Sequence, residues 1–279
     1  MAEKKIIKVD GTPAEKKKIQ RPDGSAVTIK PAVSNKDKSD ATKYRVCAAV
    51  LWLAAIAFEV LAVLIYCGKV TFTFMPTMAQ IIAALVLDLI CVSAGSLLWK
   101  KANRIDPASE KNPVKFWLWN NMGLIVTAFA FVPFVVIALS DKNADKQTKT
   151  VAVVVAIIAL LIGSLFGIDW NPVSIEEKEA AMETLDGYVV YWSPYGTVYH
   201  LDPDCGHLNH TDTLTEGSVE QAIEANRTRL CKTCSNKFNI EIVVDETTTR
   251  SIDENGLRIL DDEAVDQAPV ESLNIVDAA

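Results

Sequence analysis

Tyr199-His200-Leu201-Asp202-Pro203-Asp204-Cys205, then Gly206-His207-Leu208-Asn209-His210, and later Cys231-Lys232-Thr233-Cys234: this stretch holds all three histidines of the 279-residue chain and three of its six cysteines. Imidazole and thiolate are the donors that zinc takes in structural sites, and a C-x2-C pair supplies two thiolates from one tight turn. Cys231 and Cys234 therefore form one half of an expected tetrahedral site, and Cys205 adds a third donor from a separate loop. The fourth is a histidine. His200 stands first, at the end of a β-rich run and five residues before Cys205. His210 stands second, and His207, two residues from Cys205, would strain to share its metal and stands last. The expected metal ligands are thus His200, Cys205, Cys231 and Cys234, with Zn2+ as the cofactor. An odd set of three polar-region cysteines with C-x2-C spacing fits thiolate ligation in a reducing compartment better than a disulfide framework.

Outward from these donors, residues 188–244 read as a small α/β zinc-binding domain. Tyr188 to Trp192 and Thr197 to Tyr199 are β-rich runs joined by Ser193-Pro194-Tyr195-Gly196, which predicts a hairpin with a four-residue turn. Ser218 followed by Gln221 is a capping box that opens a helix through about Asn226. Phe238 to Val244 reads as a last strand or a helix extension. Residues 245–279 are acidic and lack aromatics, which predicts a disordered tail with a hairpin signal at Asn255-Gly256 alone.

Three features in this order, Tyr199-His200-x4-Cys205, the helix with Glu220-Gln221-Ala222-Ile223-Glu224-Ala225-Asn226, and Arg229-Leu230-Cys231-Lys232-Thr233-Cys234, resemble the Ada-type zinc-binding domain. That domain is named for bacterial DNA methyl phosphotriester repair proteins. Its pattern is an aromatic, a Cys or His, a Pro-containing spacer, a Cys, a helix and a closing Cys-x2-Cys. Pro203 falls in the spacer, Cys205 matches the second ligand, and Cys231 and Cys234 match the closing pair. The spacer is one residue longer here, and Asn226 stands where a helix-ending Gly is usual. The resemblance covers about 50 residues and implies a zinc-held fold with His200 as first ligand. In the repair proteins a cysteine at that place accepts the methyl group, so the nucleophile is missing here.

A catalytic zinc keeps one position for water and a general acid or base nearby. Four donors are available here and no H-E-x-x-H or H-x-E pattern is present, so the expected role is binding, with a surface presented to a protein or other ligand, and not enzymatic. A zinc-thiolate alkyl acceptor is the enzymatic alternative. Nucleic acid is disfavoured as a partner, since residues 188–244 carry four basic against seven acidic side chains.

Half of the chain is hydrophobic, and the apolar residues concentrate between positions 45 and 168, which is membrane-protein composition. Four segments, 46–67, 78–99, 116–139 and 151–168, are each long enough to cross a hydrocarbon layer as a helix. Tyr44, Tyr66, Trp99, Trp117, Trp119 and Trp170 fall near segment ends, where amphipathic rings favour the interface. The expected fold class is an α-helical membrane bundle of four transmembrane helices over 44–170, joined by a connecting helix in 171–187 to the zinc domain. Residues 1–43 carry eleven Lys/Arg against six Asp/Glu, with Pro13, Pro22 and Pro31 and no apolar period, which predicts a mostly disordered basic arm drawn to anionic lipid. They contain no secretory h-region, so the first apolar helix is expected to act as the insertion signal.

The basic residues of that arm, with the five in the loop from Lys100 to Lys115, outweigh those of the other two loops. The tally predicts a multi-pass protein of the cell membrane with both termini cytoplasmic. Two carboxyls, Glu59 and Asp88, lie at comparable depth within the first two spans, and an ionisable residue there is a functional candidate by default. They carry the other alternative function, proton- or cation-coupled membrane activity. Gly163-Ser164-Leu165-Phe166-Gly167 is a GxxxG pattern that allows close helix packing, within the chain or across a homodimer. Pro133 predicts a kink in the third span.

Overall fold

A computed structural model of the chain describes residues 4–12, 33–142 and 145–244. The expected tail with Asn255-Gly256 and part of the basic arm lie outside the described residues. Four helices are long and apolar enough to cross a membrane: α1 (Asn35–Tyr66), α2 (Thr77–Ile105), α4 (Met122–Ser140) and α5 (Lys146–Gly167). A short helix α3 (Pro113–Asn120) precedes α4.

Helix α1 begins at Asn35, inside the arm expected to be disordered. Ser34 caps it: its hydroxyl accepts the Asp37 amide at 3.2 Å, and the Asp37 carboxylate accepts the Ser34 amide at 2.7 Å. This reciprocal capping box satisfies two otherwise orphaned donors and starts the helix eleven residues upstream of the apolar segment. The third apolar segment is also divided. Asn121 breaks the helical backbone between α3 and α4, and the Asn120 and Asn121 side chains bond back to the carbonyls of Phe116 and Trp117 at 3.1 and 3.0 Å.

Helices α1 and α2 form an antiparallel hairpin, with α4 against both and α5 against α2 and α4. Ala41, Ala48, Ala55 and Ala62 are fully buried along α1, one every seven residues, which is the period of a coiled-coil seam. The two glycines of the GxxxG pattern are used inside the chain. A Cβ on Gly167 would lie 2.6 Å from the Leu124 amide nitrogen, and one on Gly163 would lie 2.8 Å from Thr127 Cγ2. Both glycines therefore face α4, and the close approach they permit joins α5 to α4 within the chain.

Toward the end of the bundle that holds the start of α1 and the end of α2, three indoles touch in series at tilted angles. Trp52 and Trp99 lie 5.2 Å apart and Trp99 and Trp119 5.1 Å apart. The Arg45 guanidinium sits 5.4 Å from the Trp119 ring and pairs with Asp106 at 2.7 Å. Trp52 and Trp99 are buried, so this group packs the bundle from within.

The connecting helix is α6 (Ile175–Thr184), capped by a second reciprocal box between Ser174 and Glu177. Beyond it lie β2 (Val190–Trp192), β3 (Val198–Tyr199), β4 (Thr213–Gly217), α7 (Val219–Glu224), β5 (Arg229–Leu230) and α8 (Lys232–Phe238). The hairpin turn at Ser193 to Gly196 forms, with the Gly196 amide on the Ser193 hydroxyl at 3.0 Å. Its two runs then meet through one antiparallel bridge, Tyr191 with His200, and otherwise join different sheets. β3 pairs in parallel with β5, and β2 pairs antiparallel with β4. β4 itself has no counterpart in the pattern reading, because Thr213-Leu214-Thr215-Glu216-Gly217 offers only one apolar side chain.

The far edge of β4 is covered by the chain's own N-terminus. β1 (Lys5–Lys8) runs parallel to β4 in the register Ile6 to Leu214. Ile6 is buried in the domain core, and the Lys4 ammonium donates to the Pro203 carbonyl at 2.9 Å. Within the described part of the arm this adds a strand where none was expected: a two-residue apolar run shows no periodicity, and only the docking edge of β4 makes it a strand. Residues 239–244 form neither the last strand nor the helix extension expected, since Asn239 ends α8 in the left-handed conformation at φ 51°.

Candidate metal centre

Four side chains from three elements converge beneath the β3–β5 sheet. His200 follows β3 and is held by two backbone bonds to Tyr191, each 2.7 Å. Cys231 is the N-cap residue of α8, its amide bonded to the Tyr199 carbonyl at 2.9 Å. Cys234 lies one helical turn further on, so the helix places both sulfurs on one face. Cys205 closes the loop that leaves His200. In that loop the Asp202 carboxylate accepts the Asp204 amide at 2.9 Å and the Lys237 ammonium at 2.5 Å. The loop is thus pinned by an Asx turn, by α8 and, through Pro203, by Lys4 just before β1.

One donor atom from each of His200, Cys205, Cys231 and Cys234 lies within 4.8 Å of the other three. His200 Nδ1 is 3.9 Å from Cys234 Sγ. A tetrahedral ion with bonds of about 2.0–2.3 Å has ligand–ligand edges of roughly 3.5–3.8 Å, so small side-chain adjustments bring the set onto a metal. All four residues are buried, at 1–5% exposure. The other histidines stay outside the group. His207 is exposed and its Nε2 bonds the Thr233 hydroxyl at 3.0 Å, and His210 is exposed on the following turn.

Burial dominates the electrostatics. It pushes the His200 imidazole down to about 4, which keeps the ring in the neutral form that ligates a metal. It pushes the Cys234 thiol up to about 12, even though the Asp202 and Leu201 amides point at the sulfur. A divalent cation reverses this balance, because a coordinated thiol is deprotonated by the ion's own charge. The arrangement therefore suits a bound metal ion, and the same buried sulfurs are poorly placed as exposed nucleophiles.

A second set of residues, unremarked by pattern or motif, fastens this domain to the helices. Lys178 of α6 is fully buried, and its ammonium donates to the Ile105 carbonyl at the end of α2 at 2.8 Å. Burial lowers its pKa, and the carboxylates of Glu220, Glu224, Asp37 and Asp106 partly restore it. Arg104 of α2 reaches Asn226 at 3.0 Å and Asp169 at 3.4 Å. Asn226 ends α7 with φ 69°, so an asparagine fills the left-handed position where glycine would be expected. The Lys178 and Arg104 contacts are not legible from the sequence, because one lysine in an acidic helix looks like an ordinary solvated side chain. Compared with known protein families, with curated proteins and with solved structures, the chain finds no match.

Proposed function

We propose that this chain is a multi-pass protein of the cell membrane that holds a structural zinc domain at the cytoplasmic end of its bundle and presents that domain to a protein partner. The convergence of His200, Cys205, Cys231 and Cys234 around one point carries the reading. Three sulfurs and one imidazole nitrogen form a Cys3His donor set, which is typical of structural zinc. Four protein donors leave no coordination position for water or substrate, so the role is binding and not catalysis. The ligand order supports kinship with Ada-type domains, while His200 in the acceptor position and the burial of the sulfurs argue against alkyl transfer.

Orientation follows from the basic arm and the loop from Lys100 to Lys115, which put both termini in the cytoplasm under the positive-inside rule. Tyr195, 97% exposed at the tip of the Ser193–Gly196 turn, is an aromatic of the kind that anchors protein contacts. Arg227 braces that turn through the Ser193 carbonyl at 2.7 Å. The test is metal content of the full-length protein purified in detergent without chelator. The proposal expects one zinc per chain, lost in Cys231→Ser, and a partner captured by cross-linking at Tyr195. A metal-free wild-type protein that is nevertheless folded would refute it.

A further inference from the structure

The seam between α1 and α2 contains two carboxyls. On α2, Ile81, Asp88, Gly95 and Ala102 are buried at seven-residue intervals, matching the alanine repeat of α1. Trp52 of α1 lies over Gly95 of α2, where a Cβ would come within 2.6 Å of the indole nitrogen. Two helical turns further into the bundle, seven residues on in α1 and seven back in α2, the same antiparallel register sets Glu59 against Asp88. At 1.5 Å per residue, they lie about 10 Å and about 16 Å along the axis from the helix ends joined by the 67–76 loop, inside a hydrocarbon layer.

Glu59 is 4% exposed and Asp88 is fully enclosed. Glu59 Oε1 accepts the Phe134 amide at 2.9 Å, next to Pro133, which already removes one backbone donor from that turn of α4. Glu59 Oε2 and both Asp88 oxygens have no hydrogen-bond partner among the described residues. Their surroundings are apolar: Ala55, Ala62, Ala84, Leu85, Val92, Phe131 and Phe134 belong to one buried cluster. The apolar stretches 46–66, 77–99, 122–140 and 151–167 contain no lysine, arginine or histidine. The other titratable groups in them are Cys47, exposed near the start of α1, Cys91, one turn along α2 from Asp88, and Tyr66, whose hydroxyl faces the Ala138 carbonyl. The facing stretches of α4 and α5 contribute none.

Two ionised carboxylates enclosed without a counter-charge are strongly disfavoured, and the groups neutralise instead. A hard metal ion takes about six to eight oxygens, whereas this enclosure offers three unengaged ones between hydrocarbon walls. A proton requires only one. We infer that Glu59 and Asp88 form an intramembrane proton-binding site, occupied at neutral pH and emptied only when water enters the seam between α1, α2 and α4. The site is independent of the zinc domain.

The experiment is infrared difference spectroscopy of the full-length protein in phosphatidylcholine–phosphatidylglycerol vesicles, following the C=O stretch of protonated carboxyl groups. At neutral pH solvated carboxyls are ionised and silent in this band, so it reports enclosed acids. The expected result is a band in the wild type without added metal salts, at least halved in Asp88→Asn and shifted or reduced in Glu59→Gln. Unchanged elution volume and helical circular dichroism certify that the variants fold. The wild-type band, titrated with pH, gives a reading that depends on no variant. Absence of the band at neutral pH, or a band unaltered by both substitutions, overturns the inference. Loss of the band on adding sodium or calcium at fixed pH makes the site a cation site and overturns it equally.

Discussion

Replacement of Cys231 by serine tests the metal centre at its most exposed assumption, that the ion holds the domain together. The elements around the site are short: β2 has three residues, β3 and β5 two each, and α7 and α8 six and seven. Helices of that length are not stable alone. A core of this size supplies roughly 3–5 kcal/mol, whereas a structural zinc contributes about 10–16 kcal/mol of apparent binding energy. Taking one donor of four as about a quarter of that energy, Cys231→Ser costs about 3 kcal/mol, on the order of a hundredfold in zinc affinity. That loss matches the core's own margin. Full-length protein in detergent should therefore lose zinc to a chromophoric chelator about a hundredfold more readily, and residues 188–244 should become protease-sensitive in the metal-free state. His207→Ala and His210→Ala, whose rings lie outside the donor group, should keep one zinc each. A Cys231→Ser protein with wild-type zinc content and protease resistance would refute the reasoning, as would loss of zinc from either histidine variant.

Gly167→Ala should destabilise the bundle by about 1–3 kcal/mol, since its new Cβ meets the Leu124 backbone, which cannot move aside. Gly163→Ala, facing the Thr127 side chain, should cost less, and denaturant titration in detergent would show the order; equal and negligible effects would contradict the packing. Lys178→Met removes the ammonium from the Ile105 carbonyl and leaves nearby carboxylates without their cation, a loss of about 2 kcal/mol. Thermal unfolding followed by tryptophan fluorescence checks this, and an unchanged transition would show that the lysine does not fasten the domain. Burial raises the Glu176 carboxyl, but bonds from the Ser109 hydroxyl and the Glu110 amide outweigh it and leave the group below its ordinary 4.5. Its contribution is therefore full at neutral pH and is lost as pH falls through that depressed value, so exchange of the Glu110 amide should accelerate only in acid, relative to neighbouring amides. A Glu110 amide unresponsive to Glu176→Gln would remove the basis for this prediction.

The four residues that converge were legible because metal coordination needs particular atoms at particular spacings, and Cys231-x2-Cys234 with Cys205 and His200 meets that need whatever lies between them. The four apolar helices were legible for a similar reason: crossing a hydrocarbon layer demands length and composition, both local properties. What pattern could not supply were contacts whose energy arises between distant segments. Lys5 to Lys8 becomes a strand only because β4 has an open edge, and β4 is a strand only because β1 and β2 flank it. GxxxG announced a close approach without naming its partner, and the packing of Gly163 and Gly167 on α4 identified it. Glu59 and Asp88 were visible as two acids in two spans, yet their common register follows from Trp52 lying over Gly95, and the enclosure of Asp88 follows from the packed bundle. The sequence by itself determined which segments are apolar and long enough to cross a membrane and which residues could serve as metal donors, since hydropathy and coordination chemistry reside in single residues and short spacings. The tertiary structure alone decided which helix faces meet, how Lys178 and Arg104 bind the C-terminal domain to α2, and that two carboxyls share one enclosed seam, because these depend on which surfaces exclude water together.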